Sequence, residues 1–251
     1  MMAQGEATLA YGCYIQDTTG KLWKAGTWDG SATFNGVAVY TEECAFVMRQ
    51  GAYNKSMMSS STNVSSSLIE YPTEQEAKAD FNGVGNTGLL PSSSSAKIYV
   101  EENPFPDGDV GYIPSLGELW KAYEYKNEVN ALFMEATGGP FTDAIYGSST
   151  LESGSGEKGR QAYFWTLDFG TGAVTSVLST STRPYIRPFK GLWIPAVMPK
   201  RENKIICEYY GLSSGTGLTA YEYILRSEYP VYSDVVVEYE FKTSYGGSLN
   251  S

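Results

Sequence analysis

One short segment constrains the fold more than any other, because residues 114–118, Pro-Ser-Leu-Gly-Glu, are typical of a helix start. A serine three residues ahead of a glutamate forms a capping box: Ser115 accepts from the Glu118 amide, and the Glu118 carboxylate accepts from the Ser115 amide. Apolar residues then recur at the spacing of one helix face, at Leu116, Leu119, Trp120 and Tyr123. We expect a helix here that packs this stripe against a core.

Apolar runs on both sides of this helix predict short antiparallel strands. Residues 36–40 and 44–48 flank a three-residue connection, which indicates a hairpin. Residues 163–169 alternate in polarity, and a Gly-Thr-Gly turn at 170–172 leads into a returning strand. The alternation places Trp165, Leu167 and Phe169 on one face, which we expect to be the core face.

Two further helices are predicted. Residues 73–81 favour a short helix capped by Thr73, and a second helix is expected after Asn127, with Val129, Leu132 and Phe133 inward and glycines at 138 and 139 ending it. The glycine-rich segment 83–88 matches a dinucleotide-binding pattern, but a helix precedes it instead of a strand, so we interpret it as a turn. The helices and antiparallel strands together predict an α+β fold.

The sequence changes character after Leu192. Three strand-like segments follow, at 204–210, 219–225 and 234–242. Three short strands make a marginal core by themselves. We therefore predict two domains, 1–192 and 193–251, the second a small antiparallel β module for anchoring or oligomerisation.

Composition excludes several classes of function. The chain of 251 residues has no histidine, which excludes Ser-His-Asp and Cys-His catalysis and imidazole metal sites. Its three cysteines, Cys13, Cys44 and Cys207, have neither disulfide-framework nor metal-site spacing. A net charge of −10 disfavours nucleic-acid and anionic-membrane partners. No apolar stretch is long enough to span a membrane, and the N-terminus does not have the pattern of a signal peptide.

Several motifs in one order carry a family resemblance. They lie at residues 36–40, 82–87, 112–119, 145–150, 165–172 and 183–189. The chain resembles, over roughly residues 5–192, the C-type-lectin-like domain of the DUF1566 and Fibrobacter succinogenes paralogous type, as found in phages and prophages of gut Bacteroidota. The resemblance implies short antiparallel strands, two or three helices and long loops. The Trp-Asn-Asp triplet of the calcium-dependent lectins of this fold does not occur here.

This resemblance leads us to expect a non-enzymatic bacteriophage virion surface protein, either a fibre or a decoration protein. It would be assembled in the host cytoplasm and would present a lectin-like face for host attachment. The expected partners are other virion proteins, a host cell-surface glycan or protein (carbohydrate or protein binding), and further copies of the chain in a homo-oligomer, with a trimer favoured. Two alternatives remain open: a purely structural capsid or tail component that cements neighbouring subunits, and a bacterial surface adhesin.

The candidate ligand-binding residues come from the Tyr-, Ser- and Thr-rich region between 146 and 185, because this mixture is typical of binding surfaces. They are Tyr146, Ser148, Tyr163, Thr166, Asp168, Ser176 and Tyr185. Packing against neighbouring subunits explains the same composition equally well. No cofactor and no catalytic residue is expected. The acidic loop with Glu102, Asp107 and Asp109 is a weak candidate for a cation site, and a solvated loop is the preferred interpretation.

Overall fold

The computed structural model describes residues 9–58, 68–139, 143–153, 162–180 and 182–192, together with the backbone of two short strands beyond them. The chain divides into two compact units, Met1–Val197 and Met198–Ser251. The described part of the first unit is a mixed α/β structure with five helices and two sheets, in which most strands pair antiparallel.

The helices of the first unit are α1 Glu74–Ala77, α2 Gly83–Leu89, α3 Ser95–Glu102, α4 Leu116–Glu124 and α5 Lys126–Thr137. Its strands are β1 Gly12–Asp17, β2 Leu22–Trp23, β3 Phe34–Tyr40, β4 Ala45–Met48, β5 Tyr53–Asn54, β6 Glu70–Tyr71, β7 Ile145–Glu152, β8 Tyr163–Asp168, β9 Val174–Leu178, β10 Tyr185–Ile186 and β11 Phe189–Gly191.

The first sheet has the strand order β11-β4-β3-β1-β2. The predicted hairpin is confirmed as β3 and β4, which pair antiparallel from Val37↔Met48 to Tyr40↔Ala45. One face of the sheet contributes Ile15, Val37 and Phe46 to the largest core cluster, and α5 packs on β1 and β3. The opposite face carries a smaller apolar cluster that includes Tyr14, Ala38, Tyr40 and Val47.

The second sheet has the strand order β5-β10-β7-β8-β9, and β6 also pairs with β7. The predicted hairpin of β8 and β9 is confirmed, with Gly172 in the left-handed region at φ 76° in its turn. Two separate clusters cover the two faces of this sheet. Tyr146, Trp165 and Leu167 belong to the largest cluster. Leu151, Phe164 and Ile186 belong to a second cluster, completed by side chains from before β6 and from α3.

The capping box at the start of α4 is confirmed. The Glu118 amide donates to Ser115 Oγ at 3.4 Å, and the Ser115 amide donates to Glu118 Oε2 at 2.8 Å. Leu116 and Leu119 are fully buried, whereas Trp120 and Tyr123 are half-buried at the rim of the core. The predicted apolar face of the helix is therefore correct, but only part of it is fully buried.

The other predicted helices differ from the structure in extent. Thr73 caps α1 as expected, but the helix ends at Ala77. The helix expected after Asn127 starts two residues earlier, at Lys126, and is longer than α4 instead of shorter. Its end at Gly138 is confirmed, because this residue has φ 71° and its amide donates to Met134.

Two helices were not predicted. The segment 83–88 belongs to α2, so its interpretation as a turn is wrong. Its glycines serve close packing: a Cβ at Gly83 would lie 2.3 Å from Glu118 Oε2. Helix α3 follows a serine run that is typical of loops, and Ser94 caps it by accepting from the Lys97 amide at 3.2 Å.

In the second unit the described residues form two strands, β12 Ile206–Glu208 and β13 Ile224–Arg226, which pair antiparallel. Each lies in or across the end of a segment predicted as a strand. The third predicted strand, 234–242, lies outside the described residues. Across the described part of the chain, no helix combines the length and the apolar character needed to cross a membrane.

Candidate functional site

Three of the predicted binding residues are buried, which corrects the expectation that they face a ligand. Tyr146, Ser148 and Thr166 have no exposed surface. The Tyr146 hydroxyl accepts from Arg187 Nη2 at 3.3 Å, the Ser148 hydroxyl donates to the Trp165 carbonyl at 2.7 Å, and Thr166 Oγ1 donates to the Thr175 carbonyl at 2.9 Å. The alternation placed Thr166 opposite the core correctly, but a second apolar cluster covers that face as well.

Asp168 is half-buried and shapes the turn between β8 and β9. Its Oδ1 accepts from the Gly170 amide at 2.7 Å, and its Oδ2 accepts from Thr171 Oγ1 at 2.8 Å. These hydrogen bonds, the one from Thr171 first, lower the pKa of the carboxyl below its usual value and keep it ionised. Asp168 therefore has a clear local role in the turn.

Tyr163 and Ser176 lie together on the outer half of the β8–β9 hairpin. Tyr163 is 38% exposed, and Ser176 is half-buried. Residues in register share a sheet face, and the register pairs Trp165 with Ser176 and Tyr163 with Leu178. Tyr163 and Ser176 are thus diagonal neighbours on one accessible surface.

Tyr185 lies on a different part of the sheet. It is 37% exposed and is in register with Tyr146, which in turn is in register with Leu167. Two strand spacings and four residues of strand separate its Cα from that of Tyr163, which corresponds to about 16 Å. The predicted binding residues therefore form two surfaces, not one continuous face.

A third accessible cluster was not predicted from the sequence. It consists of Arg49, Tyr53, Lys55 and Tyr99, and we call it the Tyr53 patch. Tyr53 on β5 is 55% exposed, and its ring centroid lies 5.7 Å from that of Tyr99 on α3, with an angle of 30° between the rings. The Lys55 ammonium lies 5.1 Å from the Tyr53 ring centroid.

Arg49 completes the Tyr53 patch. Its Nε donates to the Pro104 carbonyl at 3.0 Å, and its guanidinium lies close enough to Tyr99 to lower the pKa of the phenol. Burial raises the pKa of Tyr99 above its usual value even though the nearby guanidinium groups lower it, so the phenol is neutral. The sequence signal for this patch is that segment 49–58, which supplies three of its residues, and segment 182–192, which pairs with it, contain no acidic residue. Tyr99 comes from α3, which also carries Glu101 and Glu102.

The candidate cation loop is held by a lysine. Lys190 Nζ donates to Asp107 and lies 2.9 Å from Asp109 Oδ2. Burial alone raises the pKa of Asp107, but hydrogen bonds from Lys190, the Asp109 amide and Asn35 outweigh it and leave the pKa lowered. Glu102 lies at the end of α3 and is exposed. Among the described residues no three acidic or thiol side chains are grouped as metal ligands.

Two buried carboxyl groups lie near the start of α4. Asp80 Oδ2 accepts from Asn86 Nδ2 at 2.8 Å and from Thr150 Oγ1 at 2.6 Å. Glu118 accepts from the Tyr112 hydroxyl at 2.8 Å in addition to its capping-box bonds. Burial, assisted by the charge of Asp80, raises the pKa of Glu118 to about 7 despite the hydrogen bonds that lower it.

Cys13 and Cys44 are free, half-buried thiols. Burial raises the pKa of Cys13 well above its usual value and that of Cys44 to about 12. Since the thiolate is the reactive form, both side chains behave as small apolar groups at neutral pH.

Comparisons of the chain with protein-family models, with curated proteins and with solved structures find no match.

Proposed function

We propose that this chain is a non-enzymatic surface protein of a bacteriophage virion, either a fibre or a decoration protein, whose first unit has a C-type-lectin-like fold and binds a host cell-surface glycan or protein. One observation carries the proposal: exposed tyrosines lie on β5, β8 and β10 of the second sheet, on both sides of the buried central strand β7. Tyr163 and Tyr53 are the most exposed of them. Such tyrosines give large contact areas at a low entropic cost.

The positions of the family motifs support this fold. Residues 112–119 lead into the capped helix α4, and residues 145–150 lie in β7 at the middle of the second sheet. Residues 183–189 return to the same sheet, where Arg187 Nη1 donates to the Arg49 carbonyl at 2.7 Å. A fold by itself hosts many activities, so the binding role rests on the exposed side chains.

A purely structural role in a capsid or tail is the alternative that a specific observation favours. Ile145 and Tyr163 are large and exposed; Tyr163 begins β8, and Ile145 on β7 is in register with Asp168 at the other end of β8. A neighbouring subunit that covered them would cement a particle without any host ligand. A bacterial surface adhesin would use the same exposed tyrosines, and it differs from a virion protein in where the chain is found.

Location is tested by analysing purified phage particles from a lysate of cells that carry the gene, using mass spectrometry and antibody labelling. The expected result is the chain on the outside of intact particles. Detection of the chain only on the surface of uninfected cells would support the adhesin, and its absence from particles would overturn the virion assignment.

Binding is tested with Tyr163→Ala. We expect attachment of the full chain to host cells to weaken by at least about tenfold, because a central tyrosine is a frequent hot spot. The melting temperature should change little, whereas Trp165→Ala in the core should lower it strongly. Tyr11→Ala is the matched control. Tyr11 is also exposed, but its ring packs against Tyr40 of the first sheet, away from the β8–β9 hairpin. Intact attachment together with loss of particle assembly in Tyr163→Ala would favour the structural role.

The second unit is proposed to anchor the chain and to form a homo-oligomer, with a trimer favoured. Short strands leave edges that a partner strand satisfies. A chain cut after Leu192 should therefore lose assembly and keep the fold of the first unit. Light scattering that finds both the full chain and the shortened chain monomeric, with equal incorporation into particles, would contradict this role.

A further inference from the structure

Basic residues are concentrated in two segments that pair in the second sheet. Segments 49–58 and 182–192 contain Arg49, Lys55, Arg183, Arg187 and Lys190 and no acidic residue, in a chain whose net charge is −10. Strands β5 and β10 bring these segments together by antiparallel pairing. Arg187 is buried and Lys190 is paired with Asp107 and Asp109, so Arg49, Lys55 and Arg183 are the accessible cations of these segments.

Four of the other described cations of the unit are neutralised by carboxylates. Lys78, Lys121, Lys126 and Lys190 each form an ion pair with a carboxylate. By contrast, Arg49 and Lys55 form no ion pair with any residue that the structure describes. The two cations of the Tyr53 patch are thus available to an external anion.

The aromatic part of the patch is preformed. Tyr99 is half-buried against the second apolar cluster. The Tyr53 ring contacts the Tyr99 ring, and more than half of the Tyr53 surface stays accessible. The face of a tyrosine ring is the negative part of its quadrupole and attracts polarised C–H groups as well as cations. A ring face beside an ammonium group offers one surface for C–H bonds and one charge for an anion.

We propose that the Tyr53 patch binds an acidic sugar, a hexuronic acid residue of a cell-surface polysaccharide. The C–H face of the pyranose ring stacks on Tyr53, and the carboxylate pairs with Lys55 and Arg49. The proposal rests on the host-binding function proposed above and adds its ligand class and a separate site.

A single carboxylate fits this patch better than a nucleic acid does. Nucleic acids require the neutralisation of many phosphates along a basic groove. The patch offers only two cations without an ion pair to a described residue, too few to neutralise a run of phosphates. A single uronic acid residue supplies both the ring face and the one carboxylate that the patch can contact.

The experiment compares two probes that differ only in the carboxylate: a short β-1,4-linked oligomer of glucuronic acid and a cello-oligosaccharide of the same length. Titration calorimetry with the full chain should show binding of the acidic oligomer and much weaker binding of the neutral one. Raising the salt concentration should weaken the first and leave the second unchanged. Tyr53→Ala and Lys55→Gln should each weaken binding of the acidic oligomer by about tenfold.

Tyr11→Ala and Lys24→Ala serve as matched controls, because both residues are exposed and lie outside the patch. Each should bind the acidic oligomer like the unmodified chain. If Tyr53→Ala fails to fold, Lys55→Gln carries the test, since it changes one partly exposed charge. Equal binding of both oligomers, no binding by the unmodified chain, or tighter binding of a single-stranded oligothymidylate would overturn the proposal.

The two proposals fail separately. Host attachment that is abolished by Tyr163→Ala but insensitive to Tyr53→Ala and Lys55→Gln, with no affinity for the acidic oligomer, would refute the sugar site and keep the binding function. Binding of the acidic oligomer at the patch, combined with no attachment to host cells, would refute the binding function.

Discussion

Glu118→Gln tests the buried carboxyl at the start of α4. Three donors converge on the Glu118 carboxylate: the Ser115 amide, the Ser115 hydroxyl and the Tyr112 hydroxyl. Glutamine keeps one oxygen for the two Ser115 donors, and its amide group can donate to Tyr112, whose hydroxyl is also an acceptor. The substitution therefore removes the charge while it preserves most of the cap.

The magnitude follows from the pKa of Glu118, which burial raises from 4.5 to about 7. In this range the folded state keeps a proton that the unfolded state has lost, so the free energy of unfolding falls as the pH rises. The decrease starts near the unfolded pKa of 4.5 and is complete above about 7. At about 1.4 kcal/mol per pKa unit, it amounts to roughly 3 kcal/mol.

Few other groups titrate in this pH range, because the chain has no histidine. Carboxyls with a lowered pKa, such as those of Asp17 and Asp107, lose their stabilising effect only in acid. Groups with a raised pKa near 12, such as Cys44 and Tyr71, destabilise the fold only in alkali. Between about pH 5 and about pH 8, Glu118 is therefore expected to dominate the slope.

The assay is urea unfolding followed by tryptophan fluorescence across that window. The unmodified chain should lose about 2 to 3 kcal/mol of unfolding free energy from the acid to the alkaline end, and Glu118→Gln should be nearly flat. Glu76→Gln is the matched control, because Glu76 occupies the corresponding position after Thr73 in α1 but is exposed. A slope in Glu118→Gln equal to that of the unmodified chain would refute the reasoning.

Three further predictions use the same measurements of stability. Ser115→Ala should lower the free energy of unfolding by about 1 kcal/mol, because it removes a buried helix cap; no change would show that the cap hydroxyl contributes nothing. Gly117→Ala should cost more than about 2 kcal/mol, since its Cβ would lie 2.3 Å from the Asp80 carbonyl oxygen, whereas Gly88→Ala, with open space around it, should be neutral or stabilising. EDTA should leave the melting temperature unchanged, because Lys190 already neutralises the acidic loop; a large decrease would indicate a structural cation.

Local patterns predicted those elements whose signals are contained in a few neighbouring residues. The pair Ser115 and Glu118 fixes the start of α4, and the alternation around Trp165 and Leu167 fixes both β8 and its core face. Helix α3 was missed because its buried side includes only Ala96 and Val100, too few to give a periodic signal. Helix α2 contains three glycines, which disfavour a helix locally. It packs closely against Glu118 from another part of the chain, and a local sequence pattern does not show such a tertiary contact.

The candidate site was predicted less well than the fold for a related reason. Alternation shows which side chains share a face, but it does not show what covers the opposite face. Thr166 is buried because Met57, Leu90 and Val100, all distant in sequence, build a second cluster there. The Tyr53 patch likewise depends on pairing between β5 and β10, which no local pattern encodes.

The last seven residues of the two sheets, 185–191, have a consequence for synthesis on the ribosome. Strand β10 lies between β5 and β7 in the second sheet, and β11 is paired with β4 in the first, with only Arg187 and Pro188 between them. Until this stretch emerges, β4, β5 and β7 each have an unpaired edge, although most of the unit has already been translated. Open edges promote aggregation. A nascent chain that stalls or terminates just before residue 185 is therefore expected to need a chaperone or to be degraded, whereas a few more codons allow both sheets to close.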